Sequence, residues 1–180
     1  MAAGDRQRFR LAPMDGLNLG LTIVCSLLPL LLLGPLPLAA SAPWFVSTLI
    51  GSIALLVVGL YAAILVYARP HAFELSGDGL AIEWPVRRKL IPRGELAGVE
   101  LLPLSALRAR YGRGARFGAG GFFGGFGWFL TSRQRFHLYV SRVDQVVLIH
   151  VRRGEPWLLT PESPEAFVAA ARALLVQRGA

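Results

Sequence analysis

Residues 16–68 read GLNLGLTIVCSLLPLLLLGPLPLAASAPWFVSTLIGSIALLVVGLYAAILVYA and contain no Asp, Glu, Lys or Arg. About 20 apolar residues cross a bilayer core at ~1.5 Å each, so this stretch is long enough for two crossings. Pro35 and Pro37 lie near its middle and precede the small, polar run Ala39-Ala40-Ser41-Ala42-Pro43, which has the composition of a turn. The pattern predicts a two-helix transmembrane hairpin over residues 17–67, with spans at 17–38 and 44–67 and a tight turn at 39–43. Trp44 and Phe45 would sit at one interface and Tyr67 at the other, the depth that amphipathic rings prefer.

A secretory signal peptide competes for the first apolar run. Arg6, Arg8 and Arg10 make a basic leader, and Ala40-Ser41-Ala42 resembles a cleavage site. The run exceeds the roughly 7–15 residues of a leader's apolar region, which favours a retained span. Pro29, Gly34, Pro35 and Pro37 weaken it as a helix, although membrane helices tolerate such breakers. A buried soluble hairpin is the third reading. Arg69 follows the second span and the 39–43 turn is uncharged, so positive flanks keep both termini cytoplasmic. Residues 1–16 then form a cytoplasmic N-terminal arm of a multi-pass protein of the cell (inner) membrane.

The whole chain of 180 residues has a net charge of +8, 54% hydrophobic residues and only 17% charged ones. A usual charged share is about 25%, and disorder needs low hydrophobicity with high charge, so neither an ordinary soluble domain nor a disordered chain fits. The single cysteine, Cys25, excludes a disulfide framework and a cysteine-rich zinc site.

From Arg69 onward the composition changes to 16 Lys+Arg and 9 Asp+Glu, enough chain for one small domain at 71–178. Runs at 72–76 and 80–84 flank Gly77-Asp78-Gly79, a strong hairpin signal. Further strands are expected at 87–91, 96–102, 136–140, 145–151 and 156–159, about seven in all, forming an antiparallel sandwich or barrel. Ser163-Pro164-Glu165 then reads as an N-cap, a first-turn proline and a first-turn acid. Phe167, Ala170, Ala171, Leu174 and Leu175 follow at helical spacing, so a C-terminal α-helix caps the sheets.

These pieces resemble bacterial pleckstrin-homology-like (PH) domain proteins over about residues 71–176. The resemblance is carried by Phe73-Glu74-Leu75 with Asp78-Gly79-Leu80, Ile91-Pro92 with Glu95-Leu96, Gly125-Phe126-Gly127 and the Thr160-Pro161-Glu162-Ser163-Pro164-Glu165-Ala166-Phe167 segment. It implies an α+β membrane protein: one or two spans, then a seven-stranded sandwich capped by a helix, without catalysis. Phosphoinositide-binding members of the wider superfamily carry bases around the first hairpin, whereas Ser76-Gly77-Asp78-Gly79 has none.

Chemistry-bearing motifs are sparse. His71, His137 and His150 show no metal-ligand spacing, no Gly-x-Ser-x-Gly occurs, and the glycines at 112–127 match no phosphate-loop pattern. No enzyme, cofactor or metal is therefore expected. The most unusual stretch is 108–129. Arg108, Arg110, Arg113 and Arg116 occur there without an intervening acid, ahead of Phe117, Phe122, Phe123, Phe126, Trp128 and Phe129 among glycines. Its plainest reading is a long loop whose aromatics partly fold back as a strand. As a binding element, Arg108, Arg110, Arg113, Arg116, Phe122, Phe123 and Trp128 would hold anionic lipid while the rings dip into the interface. Single-stranded nucleic acid suits such a mixture too, but a membrane tether argues against it.

Two function classes stay open. One is a membrane-anchored, non-enzymatic binding or scaffold module, docking a protein partner, itself or the anionic inner leaflet. The other is a regulatory subunit of a membrane complex that packs through its helices, where Gly16, Gly20, Gly51 and Gly59 permit close approach.

Overall fold

The Gly77-Asp78-Gly79 signal is realised as a tight turn between β2 (Ala72–Ser76) and β3 (Gly79–Glu83), which pair antiparallel. Gly79 sits at φ +141°, where a Cβ would run into the Ile91 carbonyl oxygen, so only glycine fits. The computed structural model describes residues 6–33, 43–120, 124–142 and 144–176. On one side of β2 lies β1 (Gln7–Arg10), and beyond β3 lies β4 (Arg88–Pro92), giving a four-stranded antiparallel sheet in the order β1-β2-β3-β4.

The second sheet is built from β5 (Leu96–Pro103), β6 (Gly114–Gly120), β7 (Gly125–Thr131), β8 (Arg135–Val140), β9 (Gln145–Val151) and β10 (Trp157–Leu159). Its order is β5-β9-β10-β8-β7-β6. All its pairs are antiparallel except β10 with β8, so the purely antiparallel sandwich expected from sequence is corrected at that point. The count of about seven strands is also too low. The stretch read as a loop makes the β6–β7 hairpin, and the N-terminal arm contributes β1.

Among the described residues there are four α-helices: α1 (Gly16–Leu33), α2 (Trp44–Ala63), α3 (Leu104–Tyr111) and α4 (Pro164–Val176). The expected proline at the first position of α4 is confirmed, and the Phe167 N–H bonds the Ser163 carbonyl at 3.0 Å. α1 continues through Pro29 and packs against α2. α2 passes into a π-helical turn at Ile64–Ala68. Among the described residues, Trp44–Ala68 is the one helix long and apolar enough to cross a membrane, with 25 residues and a mean hydropathy of 2.6. Residues 34–38 of the expected first span and 39–42 of the expected turn lie outside the described residues.

The six-stranded sheet has two apolar faces. One packs Tyr139, Val147, Ile149, Trp157 and Leu159 against Phe73, Leu80 and Ile82 of the facing sheet, with Phe167 and Ala171 of α4 closing the end. The other packs Phe129, Phe136, Leu138, Leu148 and Leu158 under Leu107 of α3. Burying such side chains contributes about 1.5–3 kcal/mol each.

Between β1 and α1 the chain is tied into the domain by a buried polar cluster. Ser141 Oγ donates to the Ala12 carbonyl at 2.6 Å, Thr160 Oγ1 accepts from the Ser141 N–H at 2.9 Å, and Asn18 Nδ2 donates to the Ser141 carbonyl at 3.2 Å. Buried polar groups persist only when bonded, and here three segments distant in sequence satisfy one another.

Candidate functional site

Side chains on β7, β8 and β10 alternate between the two faces of the sheet, and the strand register places Trp128, His137 and Trp157 in one row. The row is a stack: His137 lies 4.2 Å from the Trp128 ring and 4.0 Å from Trp157, the latter only 24° from parallel. Two residues further along β8, Tyr139 stacks on Trp157 at 5.6 Å and meets Trp84 edge-on at 5.3 Å.

The opposite wall comes from the end of β3 and the start of β4, which bring Trp84, Arg87 and Lys89. The Arg87 guanidinium lies 4.3 Å from the Trp84 ring and the Lys89 ammonium 4.6 Å from Trp157. Each such contact is worth about 0.5–1 kcal/mol where exposed. Together these groups enclose an open cleft of about 470 Å³. Tyr67 and Ala68, at the foot of the long apolar helix, form its rim. Trp84 Nε1 donates to the Ala68 carbonyl at 3.2 Å and Arg87 Nη2 to the Tyr67 carbonyl at 2.8 Å, so helix end and cleft wall are bonded together.

Burial lowers the His137 pKa below its ordinary value, Lys89 pushes the same way, and Glu155 opposes them. The imidazole is therefore a neutral member of the stack near pH 7. Among the described residues no carboxylate lines the cleft. Its chemistry is that of a receptor for an anion joined to an apolar or flat group: two cations on one wall and stacked rings on the other. Among the described residues no cluster of three His, Cys, Asp or Glu could hold a metal ion.

The binding element expected at residues 108–129 is divided. Arg108, Arg113 and Arg116 line a second cleft of about 370 Å³ with Leu104 and Phe129. Arg110 is drawn aside into a 2.8 Å ion pair with Glu100. Arg116 stands opposite Phe129 and Phe117 opposite Trp128, so strand alternation sends Arg116 and Trp128 to opposite sides of the hairpin. Trp128 therefore belongs to the aromatic cleft and not with the arginines. Phe122 and Phe123 lie outside the described residues. Sequence reasoning missed Trp84, Arg87, Lys89, His137 and Trp157. The available signal was the alternation of Arg87 with Lys89 and of His137 with Tyr139, but only register joins these runs.

The family model described as bacterial PH domain matches residues 71–175. No curated protein matches the chain.

Proposed function

This chain belongs to the bacterial PH domain family, and from that premise we propose that it is a membrane-anchored, non-enzymatic binding module whose domain docks on the anionic inner leaflet through the aromatic cleft. The observation that supports the membrane placement is the pairing of β1 with β2, strands that immediately flank the helical segment 16–68, and the two cations of the cleft support the docking. A chain that leaves one sheet and returns to that sheet's neighbouring strand must return to the same side of a membrane. If α2 crosses, α1 crosses too, and the domain stands on the side where both ends emerge.

Solvent exposure supports the crossing. Leu17, Leu31, Trp44, Leu55 and Leu56 are 66–79% exposed, an apolar surface too extensive for water. The paired β1 and the buried Asn18 contact also favour a retained first span, because cleavage after Ala42 would strip the domain of an edge strand and of part of its polar cluster. Arg6, Arg8, Arg10 and Arg69 flank the helices, and such positive flanks favour a cytoplasmic domain.

A single cysteine introduced at Ala39 in a Cys25→Ser background tests the topology, alongside one at Arg153. Labelling of the first by a membrane-impermeant maleimide in intact cells, with the second protected until lysis, is the expected result. Protection of the first, or digestion of the domain by protease added to whole cells, overturns the reading.

A further inference from the structure

Arg87 and Lys89 differ from the cations that are neutralised in place. Arg8, Arg88, Arg110, Arg135 and Arg142 each have a carboxylate within 2.8–3.0 Å. Arg87 and Lys89 are exposed, have no carboxylate partner among the described residues, and lie over the rings of Trp84 and Trp157. Arg88, between them in sequence, points away toward Glu74 and Glu83. Alternation thus places Arg87 and Lys89 side by side on the cleft wall. Glu155, 3.8 Å from His137, is already engaged by Arg135 at 2.8 Å.

The cleft is therefore a pair of uncompensated cations beside a wall of rings, and its rim is the foot of the apolar helix. On the membrane placement proposed above, that rim lies at headgroup depth. We propose that the cleft is a discrete site for one anionic glycerophospholipid, the phosphate held between Arg87 and Lys89 and the glycerol portion laid against Trp128 and Trp157. A guanidinium offers a phosphate paired donors and an ammonium adds a point charge. The exposed ring of Trp128 offers an apolar seat that diffuse surface attraction does not need. The inference rests on the preceding reading for the identity of the ligand, and it adds stoichiometry and chemical selectivity.

The cleft reports its own occupancy, since Trp84, Trp128 and Trp157 are three of the four tryptophans in the chain. The full chain in dodecylmaltoside micelles is titrated with dihexanoyl-phosphatidylglycerol, dihexanoyl-phosphatidylcholine and inorganic phosphate while tryptophan emission is followed. Saturable one-to-one binding of the phosphatidylglycerol is expected, with the other two at least about tenfold weaker. The Arg87→Ala/Lys89→Ala variant should bind the phosphatidylglycerol about 10- to 100-fold more weakly, the worth of one or two charged hydrogen bonds. Arg108→Ala/Arg113→Ala/Arg116→Ala should stay within about twofold of the parent chain. The site is overturned if the Arg87/Lys89 variant binds like the parent, if phosphatidylcholine binds equally, or if the triple variant loses as much. Inorganic phosphate binding as tightly as the lipid would make this a free-phosphate site and sink the lipid assignment. Micelles do not require the chain to cross a bilayer, so failure here is separable from failure of the cysteine-labelling test.

Discussion

Asn18, in the first turns of α1, donates from its buried side-chain amide to the carbonyl oxygen of Ser141 at 3.2 Å. On the other helix, the Tyr67 carbonyl accepts from Arg87 at 2.8 Å. Each helix of the pair is thus fastened to the domain by a side-chain hydrogen bond, and the second of these bonds belongs to the cleft wall. The Arg87 bond, with that from Trp84 Nε1 to the Ala68 carbonyl, joins the foot of α2 to the cleft wall.

Removing the first of these fastenings has a definite expected cost. Asn18→Ala leaves the Ser141 carbonyl without this donor and should destabilise the folded chain by about 1–2 kcal/mol. Thermal unfolding in detergent, followed by circular dichroism, measures it. Leu19→Ala, whose side chain is exposed one residue away, should change stability by less than about 0.5 kcal/mol. Equal behaviour of the two variants would mean that the polar cluster does not hold α1.

The His137 stack predicts a pH dependence with a known sign. Burial and Lys89 hold the folded-state pKa below the unfolded value, so the unfolded chain binds the proton more readily. The contribution is fully present above the unfolded-state value, near pH 6.5, and is lost as the pH falls through and below it. His137→Phe retains a ring between Trp128 and Trp157 without a titrating group. Melting temperature should fall more steeply from pH 7.5 to pH 5 in the parent than in that variant, by an amount read directly from the two curves. Parallel curves would show that His137 titrates alike in both states.

Local signals were legible and distant ones were not. The β2–β3 hairpin was readable because Asp78-Gly79 specifies its turn, and α4 because Ser163, Pro164 and Glu165 mark its start. The β6–β7 hairpin was hidden because glycines at 114, 118, 120, 125 and 127 replace the side chains that would have shown alternation. β1 was hidden for another reason. Its four residues hold one apolar side chain, Phe9, and its partner β2 follows only after both hydrophobic helices. The cleft joins Trp84 to Trp157 through sheet packing, which no window along the chain contains. The arginine-rich segment was recognised as unusual, but its division between two faces follows from a register that only the paired strands set.

β1 carries a testable part of the fold. Phe9 meets Phe167 of α4 edge-on at 5.1 Å, and Arg8 pairs with Glu83 at 2.9 Å. Phe9 is only partly buried, so Phe9→Ala should cost about 2 kcal/mol, below the roughly 3–5 kcal/mol of a fully buried phenylalanine. Arg8→Ala, which removes an exposed ion pair, should cost no more than about 1 kcal/mol. Chemical denaturation of the two variants separates them. A Phe9→Ala variant as stable as the parent would show that β1 adds nothing to the core.

Gly118 and Gly127 stand opposite each other across β6 and β7, both with positive φ, at +125° and +129°. A Cβ on Gly118 would strike the Phe126 carbonyl oxygen, and one on Gly127 would strike the Phe117 carbonyl oxygen. The backbones approach closely here because neither residue has a side chain, and both glycines line the aromatic cleft. Gly118→Ala and Gly127→Ala should each cost about 2 kcal/mol or more, from the left-handed backbone together with the displaced strand. Gly77→Ala, where an added Cβ meets nothing within 4 Å, should stay within about 0.5 kcal/mol of the parent. The Gly118 and Gly127 variants should also respond less to phosphatidylglycerol, because separating the strands moves Trp128 away from His137. Unchanged stability at both positions would mean that the hairpin can open without cost. The stack at its base would then have to be held by β8 and β10 alone.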